Sequence, residues 1–427
     1  MPCPSQRRLA PLALLLAALL PGAAPAGLRV LGELGWQGAA ARPATPINPD
    51  ARLVEAEDSI AGAALNAAGA LQGETTALVL DAWLEQRRDF HSDEWGTRTR
   101  VPEAYAEWLP DFETALAAGV TLTRWGTGYV WNPANPLADP EANNTSRARV
   151  YRRDGDPFLR LDALLGRDSL GLQVTRLLQN DPLLSADTDR ETVGTLRYQH
   201  VGDGYDLTGF VAGLQDEWFL GSALSATVGH SLEIHAEAGL RSRRRAPRIR
   251  EIPVPDGAGG SRPLFVWDFE PRTELTPSAL LGGQYTFANL SNVIVEYFYN
   301  GNGFSEREYD RLLAASDASR ALLSDPALGA AAEGFLLDAN RLTGRLRRHY
   351  LFLRIARDDL LRDFDLHYFV RLALEDRSTV HGLLLRYALT PRLSLQASAE
   401  AFAGGSRDET ALIPVRRRGE ATLTWHF

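Results

Sequence analysis

Charged side chains recur at every second position in many short segments of this chain. Alternate residues of a β-strand point to the same face, so each such segment would present a row of charges on one side. An interior lined by these rows suits the passage of solutes through an electric field rather than bond chemistry. The predicted lining residues are Arg348, Arg354, Arg371, Arg386, Arg416 and Arg418 in the C-terminal part, and Asp81, Glu85, Glu233 and Glu237 in the N-terminal part.

The two signs of charge are unevenly distributed along the chain, and this supports two interpretations. Acidic residues dominate the N-terminal segments, and arginines dominate the C-terminal ones. If facing walls of a closed barrel carried opposite signs, the field between them would orient polar or zwitterionic solutes. In the alternative, the charges pair across adjacent strands and only stabilise a water-filled interior.

Catalytic, metal and nucleic-acid chemistry find little support in the residues. The histidines are scattered without ligand spacing, Cys3 is the only cysteine, and no Gly-x-Ser-x-Gly motif is present. We therefore predict no enzymatic activity and no metal or cofactor site. The net charge of −9, without a basic patch interleaved with aromatics, also argues against a nucleic-acid partner.

The segments that carry these charges alternate as β-strands do. Between Phe364 and Leu374, large apolar residues occupy every second position, with Asp365, His367 and Arg371 among those between them. Eighteen segments qualify, with sixteen as the alternative count. The clearest are 28–38, 76–88, 112–125, 158–166, 169–178, 232–241, 278–288, 292–300, 346–356, 364–376, 381–389 and 393–403, the weaker ones are 58–70, 98–108, 191–201, 206–216 and 218–228, and the last is 415–427.

The connections between these segments separate by length. Short connections alternate with others, and the long ones, 126–157, 242–276 and 301–345, all fall at the same end. Outer-membrane barrels have short periplasmic turns and long extracellular loops. The predicted fold is therefore all-β, a transmembrane antiparallel β-barrel with a helical extracellular loop. A soluble β-sandwich or lipocalin-like barrel is the alternative.

Both ends of the chain fit secretion to the bacterial outer membrane. Arg7 and Arg8 precede an apolar run and a small-residue site at Ala26, so we expect a signal peptide at 1–26 and the barrel at 27–427. Residues 415–427 alternate strictly and end on Phe427, as the closing strand of an outer-membrane barrel does. We expect the barrel-assembly machinery to recognise Phe427.

One predicted loop, residues 124–140, has a composition that indicates a compact path. It is rich in glycine and proline, and it carries Trp125, Tyr129, Trp131 and Asn132. Its aromatic side chains favour a covered position, so we expect the loop to fold into the barrel mouth as a constriction. A packed extracellular rim is the alternative.

Two further stretches lie in the other long loops. Residues 305–340 are predicted to be helical, with Ser305 and Glu308 as a capping box and a break at Pro326. Three roles for these helices stay open: they cover the pore opening, they form part of the extracellular surface without a further role, or they bind a partner. The basic run 241–250 is either a solvated loop or a site for anionic lipopolysaccharide or an anionic solute.

In these features the chain resembles alginate-export-type porins and their uncharacterised porin-like relatives. The resemblance rests on the strand count, the terminal Trp425-His426-Phe427, the motif running from Arg124-Trp125-Gly126 to Trp131-Asn132-Pro133, and the run Glu296–Phe304. It implies a channel, and alginate exporters have an arginine-rich lumen for a polyanion. This chain departs from that pattern because it is acidic and its predicted lining is mixed in sign.

The leading hypothesis is therefore an outer-membrane channel, or porin, that passes a polar or anionic solute or polymer through a mixed-charge lumen. The alternative is the outer-membrane component of a lipid or hydrophobic-compound transport or export system. That alternative would show an apolar groove between residues 126–140 and 304–340. The other expected partners are outer-membrane lipid and lipopolysaccharide.

Overall fold

A computed structural model describes most of the chain. The described residues are 29–51, 53–54, 59–90, 94–123, 125–137, 154–177, 192–214, 216–255, 259–342 and 346–427. The expected signal peptide lies outside these residues, as do Arg124 and residues 138–153 of the predicted 126–157 loop.

Eighteen antiparallel strands form one closed sheet. Each strand pairs with its neighbours in chain order, one of these pairings bridges an inserted hairpin, and the last strand pairs back onto the first. The predicted barrel and its count of eighteen are confirmed. The barrel strands are β1 Arg29–Ala41, β2 Ser59–Gln72, β3 Thr76–Asp89, β4 Glu94–Trp108, β5 Thr114–Thr121, β6 Asp156–Leu165, β7 Asp168–Arg176, β8 Thr192–Val201, β9 Tyr205–Leu214, β10 Glu217–Val228, β11 Leu232–Arg244, β14 Arg272–Thr286, β15 Ser291–Tyr299, β16 His349–Arg357, β17 Phe364–Ala373, β18 Thr379–Thr390, β19 Leu393–Ala403 and β20 Val415–His426.

Alternation along each strand decides which side chains face the interior. In β17, Tyr368 is exposed on the outside, whereas His367 and Phe369 are buried on the inside. The same division holds around the ring, where leucines and valines such as Leu281 and Val211 form an exposed outer belt. A bilayer covers such a belt, and the predicted outer-membrane location agrees with this architecture. Within the described ranges, no helix has the length and apolar character needed to cross a bilayer.

The long loops differ in two places from the sequence prediction. The strand predicted at 112–125 ends at Thr121, because Trp125 belongs to a loop that turns into the barrel. The loop predicted at 242–276 contains a separate hairpin, β12 Arg248–Pro255 and β13 Ser261–Asp268. Proline in both of its strands obscured the alternation, because proline cannot donate to a strand ladder.

The loop between β15 and β16 is helical, as predicted. Helix α1 is Glu306–Leu322, helix α2 is Gly329–Arg341, and the chain turns between them around Pro326. The Ser305 side chain accepts a hydrogen bond from the Glu308 N–H, and the Glu308 carboxylate accepts one from the Ser305 N–H, so the capping box is formed. Between β19 and β20 lies a one-turn helix, α3 Glu409–Leu412.

Four loops at the end of the barrel that carries the helical loop pack into one folded unit, which we call the cap. The cap comprises the described residues of 42–54, 245–271, 300–348 and 404–414, and its core contains Ile47, Leu312, Phe335 and Leu412. The Asn340 side-chain amide donates to the Ile47 carbonyl at 2.6 Å. The 42–54 loop follows β1 and the 245–271 loop follows β11, which is nearly opposite in a ring of eighteen strands. The cap therefore reaches across the mouth of the barrel.

Candidate pore and constriction

The loop after β5 lies inside the barrel against its inner wall. We call its described residues 125–137 the inner loop. Trp131 is completely buried and stacks on Phe298 of β15, with ring centroids 5.0 Å apart. Tyr350 and Phe352 of β16 complete the pocket around its indole ring. Tyr129 stacks on Phe352 at 5.8 Å. Aromatic burial of this extent holds the loop tip on the wall.

Glu237 of β11 fixes the inner loop through its backbone. The N–H of Gly128 donates to Glu237 Oε1 at 2.7 Å, and the N–H of Ala134 donates to Oε2 at 3.1 Å. The N–H of Thr127 also donates to Oε1. Glu237 was predicted to face the solute, but it lies beneath the loop and is 3% exposed. Its carboxylate therefore satisfies loop N–H groups that would otherwise be buried without a partner.

Glu296 of β15 makes a second attachment of the same kind. The N–H of Val130 donates to Glu296 Oε2 at 2.9 Å, and the N–H of Tyr129 donates to Oε1. His235 Nε2 lies 2.9 Å from Glu296 Oε1 and holds the carboxylate from the other side. Sequence reasoning missed Glu296 and His235 as site residues. The one signal was an acidic residue at an inward position of the aromatic run Glu296–Phe304.

The return path of the inner loop runs close to the wall. Trp125 stacks on Phe210 of β9 at 5.3 Å, and Asn132 is buried, with its carbonyl accepting from the Asn135 N–H at 3.1 Å. Gly221 and Gly239 provide the space, because a Cβ on either would lie within 2.4 Å of a loop carbonyl. The loop therefore follows the inner surface from β9 to β16 and takes up part of the lumen.

On the acidic side of the lumen, charges are balanced by arginines on the same strand or on strands one or two places away. Arg100 of β4 donates to Glu85 at 3.1 Å, and Arg87 of β3 also binds Glu85, at 2.9 Å. Asp162 of β6 pairs likewise with Arg160 and with Arg197 of β8. The remaining predicted acids bind polar groups: Asp81 accepts from Asn66 at 2.6 Å and Glu233 accepts from Ser225 at 2.9 Å.

These contacts correct the idea of two walls of opposite sign. The N-terminal strands also carry inward arginines, which pair with carboxylates one or two strands away. On the arginine side, Arg418 pairs with Glu400 in the same way. Pairing across strands, the alternative interpretation, therefore describes much of the lining.

Two predicted lumen arginines differ, because their hydrogen-bond partners are neutral. Arg354 of β16 binds His367 and Asn292, and Arg386 of β18 donates to Gln396 at 3.1 Å. The Arg354 guanidinium also lies 5.1 Å from the centre of the Tyr129 ring. Positive charge that is bonded to neutral partners in the described contacts therefore lies beside the tip of the inner loop, with Asp365 opposite Arg386 in the sheet.

The other predicted arginines lie towards the cap. Arg348 precedes β16 and donates to the Gly303 carbonyl at 3.1 Å, so it supports the helical loop. Arg371 of β17 acts electrostatically on Glu409 in the cap. Arg416 is exposed at the start of β20.

The basic run 241–250 is largely neutralised by carboxylates. Arg241 and Arg245 pair with Glu217, at 2.8 and 2.7 Å. Arg244 pairs with Glu308 at 2.8 Å, which ties β11 to the first turn of α1. The hairpin arginines Arg248 and Arg250 both pair with Asp268, at 2.7 and 2.9 Å, but stay about half exposed.

Two carboxylates of the cap have opposite pKa shifts. Burial raises the pKa of Glu409 to about 7, although Arg371 and the Leu346 N–H favour its charged form. The Tyr350 hydroxyl, at the top of the inner-loop pocket, donates to Glu409 at 2.9 Å. Partial burial also raises the pKa of Glu308, but Arg244 and the Ser305 cap outweigh this and lower it to about 2.

The molecule is a closed antiparallel barrel with a polar interior, an apolar outer belt and a loop folded inward. This combination of features is that of the outer-membrane porin class of barrels. Within the described ranges, no three His, Cys, Asp or Glu side chains are placed to hold a metal ion.

Solved outer-membrane porins share this fold. OccK11 (OpdR) of Pseudomonas aeruginosa is 13% identical, with a TM-score of 0.52 over 94% of this chain and 95% of that one. OccAB1 of Acinetobacter baumannii is 9% identical, with a TM-score of 0.54 over 94% and 96% of the two chains. The resemblance to porins is confirmed at the level of the barrel fold. The sequence matches no protein-family model. No curated protein matches it by sequence.

Proposed function

We propose that the chain is a bacterial outer-membrane channel for polar or anionic solutes and has no enzymatic activity. One observation carries the proposal: a loop folded along the inner wall narrows a charged lumen beside Arg354 and Arg386. Porins use such a combination to filter by size and charge. The carboxylates under the loop keep it on the wall, so the opening has a defined shape.

The position of these two arginines supports a preference for anions. Arg386 is exposed to the lumen, and Arg354 is half-buried under the tip of the inner loop. Much of the remaining lining is balanced by ion pairs, whereas within the described ranges these two cations have no carboxylate bonded to them and can act on a solute. A mixed lining favours small anions or zwitterions, and we propose these over the polyanion that an alginate-export-type channel would pass.

Conductance in planar bilayers tests the proposal. Folded protein should give steady single-channel currents, and a salt gradient should give a reversal potential on the anion side. Arg386→Gln should shift that potential towards cations. Arg167→Gln is the matched control, because Arg167 lies in the short turn after β6 and pairs with Asp203 of the turn after β8, away from the inner loop. A folded barrel without conductance would contradict the proposal.

The alternative, export of lipid or hydrophobic compounds, needs an open apolar groove between the inner loop and the cap. The large apolar side chains of both elements are buried instead: Trp131 against β15 and β16, and Leu312 and Phe335 in the cap core. This burial favours the channel over the export component.

For partners, we propose outer-membrane lipid around the belt and lipopolysaccharide at its extracellular rim. The half-exposed Arg248 and Arg250 of the hairpin would contribute to lipopolysaccharide binding. Phe427 is exposed on the outer face and stacks on Trp425 at 6.2 Å, which suits recognition by the barrel-assembly machinery.

A further inference from the structure

His367 connects the periplasmic end of the barrel to the inner loop. Its Nε2 lies 2.8 Å from Asp358 Oδ1, in the short turn between β16 and β17. Its Nδ1 lies 3.1 Å from a terminal nitrogen of Arg354. The Arg354 guanidinium in turn lies over the ring of Tyr129, at the tip of the inner loop. Four side chains thus form one line of contacts through the lumen.

The chemistry of the partners determines the tautomer of His367. An arginine can only donate hydrogen bonds, so Nδ1 must be the acceptor and carry no proton. The carboxylate of Asp358 can only accept when ionised, so Nε2 must carry the proton. Neutral imidazole protonated at Nε2 satisfies both contacts. A second proton would place an N–H on Nδ1 against the guanidinium, setting donor against donor and cation against cation.

The turn that holds Asp358 is built from strained backbone. Asp359, Arg362 and Asp363 adopt φ values of 53°, 46° and 61°, a region that non-glycine residues seldom occupy. Side-chain carboxylates stabilise this path, because Asp365 accepts from the Asp359 N–H at 3.0 Å and Asp359 accepts from the Asp363 N–H at 3.1 Å. The surrounding structure therefore fixes a turn that would not form by itself.

We propose that His367 is a positioning residue for the pore: neutral His367 holds Arg354 over Tyr129, and protonated His367 releases it. The inference rests on the proposed channel function and adds a pH dependence to it. Release moves a guanidinium that is bonded to the wall at neutral pH into the passage beside the inner loop. Acidification therefore changes both the pore's shape and its charge.

The groups facing His367 act in both directions. Asp358 from the turn attracts the protonated form, while Arg354 from β16 and Arg386 from β18 oppose it. Asp365, two residues earlier on the same strand, lies opposite Arg386 in the sheet. Because Asp358 is largely exposed, its attraction is screened more strongly than the contact with Arg354.

Single-channel recording between about pH 8 and pH 4 provides the first test. The range extends below that of an ordinary histidine, about pH 5–8, because Arg354 and Arg386 oppose the protonated form. The unaltered channel should gain open-channel current noise and change its ion selectivity on acidification. His367→Gln should lose this response and behave at both pH values as the unaltered channel does at pH 8, because a glutamine amide can accept from Arg354 and donate to Asp358. His367→Leu should show the noisy state already at pH 8.

The control is His381→Gln, since His381 faces outward and binds the Tyr368 hydroxyl at 2.7 Å. It should keep the full pH response. The inference is overturned if His367→Gln responds to acid like the unaltered channel, or if His367→Leu is quiet at pH 8.

A second measurement does not depend on conductance. Nuclear magnetic resonance of isotope-labelled histidine in folded protein should show His367 as the Nε2–H tautomer at neutral pH. Arg354→Leu should keep that tautomer, because Asp358 still accepts from Nε2–H, but should let His367 take up its second proton at a higher pH, because no guanidinium opposes an N–H on Nδ1. A Nδ1–H tautomer in the unaltered protein overturns the inference even if the channel conducts, whereas a silent channel with the expected tautomer contradicts only the channel function.

Discussion

Removing the charge of Glu237 should release the inner loop from the wall. Glu237→Gln keeps one acceptor oxygen for Thr127 and Gly128 but turns an amide N–H₂ towards the N–H of Ala134. Hydrogen bonds to a charged acceptor contribute about 1.5–3 kcal/mol each, against about 0.5–1.5 for neutral ones. A buried N–H without a partner costs a further 1–3 kcal/mol or so.

The net effect should be smaller than the sum of these contributions. An amide costs less to bury than a carboxylate, which offsets part of the loss. We therefore expect the attachment of the inner loop to weaken by about 3 kcal/mol, and since every 1.4 kcal/mol or so is tenfold, the detached population should rise roughly a hundredfold. Glu296 and the Trp131 pocket still hold the loop tip, so the barrel itself should stay folded.

The matched control is Glu233→Gln, on the same strand and the same inner face, because Glu233 binds only the Ser225 hydroxyl in the described contacts. Single-channel recordings of Glu237→Gln should show larger or fluctuating currents, and those of Glu233→Gln should not. In a variant without the natural Cys3, Ala134→Cys reports detachment directly, since Ala134 is fully buried in the attached loop. If a water-soluble maleimide labels this cysteine equally slowly with and without the Glu237→Gln substitution, the attachment is not what we describe.

Three further predictions concern the inner loop and the cap. Trp131→Ala should lower the free energy of unfolding by about 3–5 kcal/mol in denaturant titrations. The control is Trp36→Ala, on the exposed outer face, which should lower it far less; equal losses would refute the pocket assigned to Trp131. Because the pKa of Glu409 is raised to about 7, attachment of the 404–414 loop should be strongest below pH 4.5 or so and weaken as the pH rises through about 7. Glu409→Gln should remove this trend in hydrogen-exchange rates, and a trend that persists would exclude Glu409 as its source. Leu312→Ala should loosen the cap by about 2–5 kcal/mol, measured as faster proteolysis of the cap with the barrel intact; cleavage at an unchanged rate would contradict a shared cap core.

The barrel could be predicted because its determinants are local and repeat along the chain. Alternation in a strand such as β17 depends only on neighbouring residues, and so does the capping box of Ser305 and Glu308. A single slip of register would move every leucine of the outer belt into the lumen, so the pattern allows little freedom. Short turns between consecutive strands then make each strand pair with the next one, which determines the order of strands around the ring.

The contacts of the site could not be predicted in this way, because they join distant parts of the chain. Alternation places Glu237 and Glu233 alike, as inward-facing acidic residues of the same strand. Only the folded inner loop shows that Glu237 is buried beneath backbone N–H groups and Glu233 is not. The role of Glu409 depends on Tyr350, which lies in strand β16 and was not singled out from the sequence. The pairing of Arg100 with Glu85 required the register of β3 and β4, including a bulge between Asp81 and Trp83.

The pairing of β1 with β20 also has a consequence for how the molecule is made. Leu31 lies opposite His426, so the ring closes between the first and the last of its strands in chain order. Until β20 exists, β1 and β19 each present an open edge of unpaired N–H and C=O groups, which hydrocarbon cannot solvate. A chain that lacks β20 therefore cannot form a stable structure in a bilayer. Closure must therefore wait until β20 has been made, and until then both open edges need shielding from hydrocarbon.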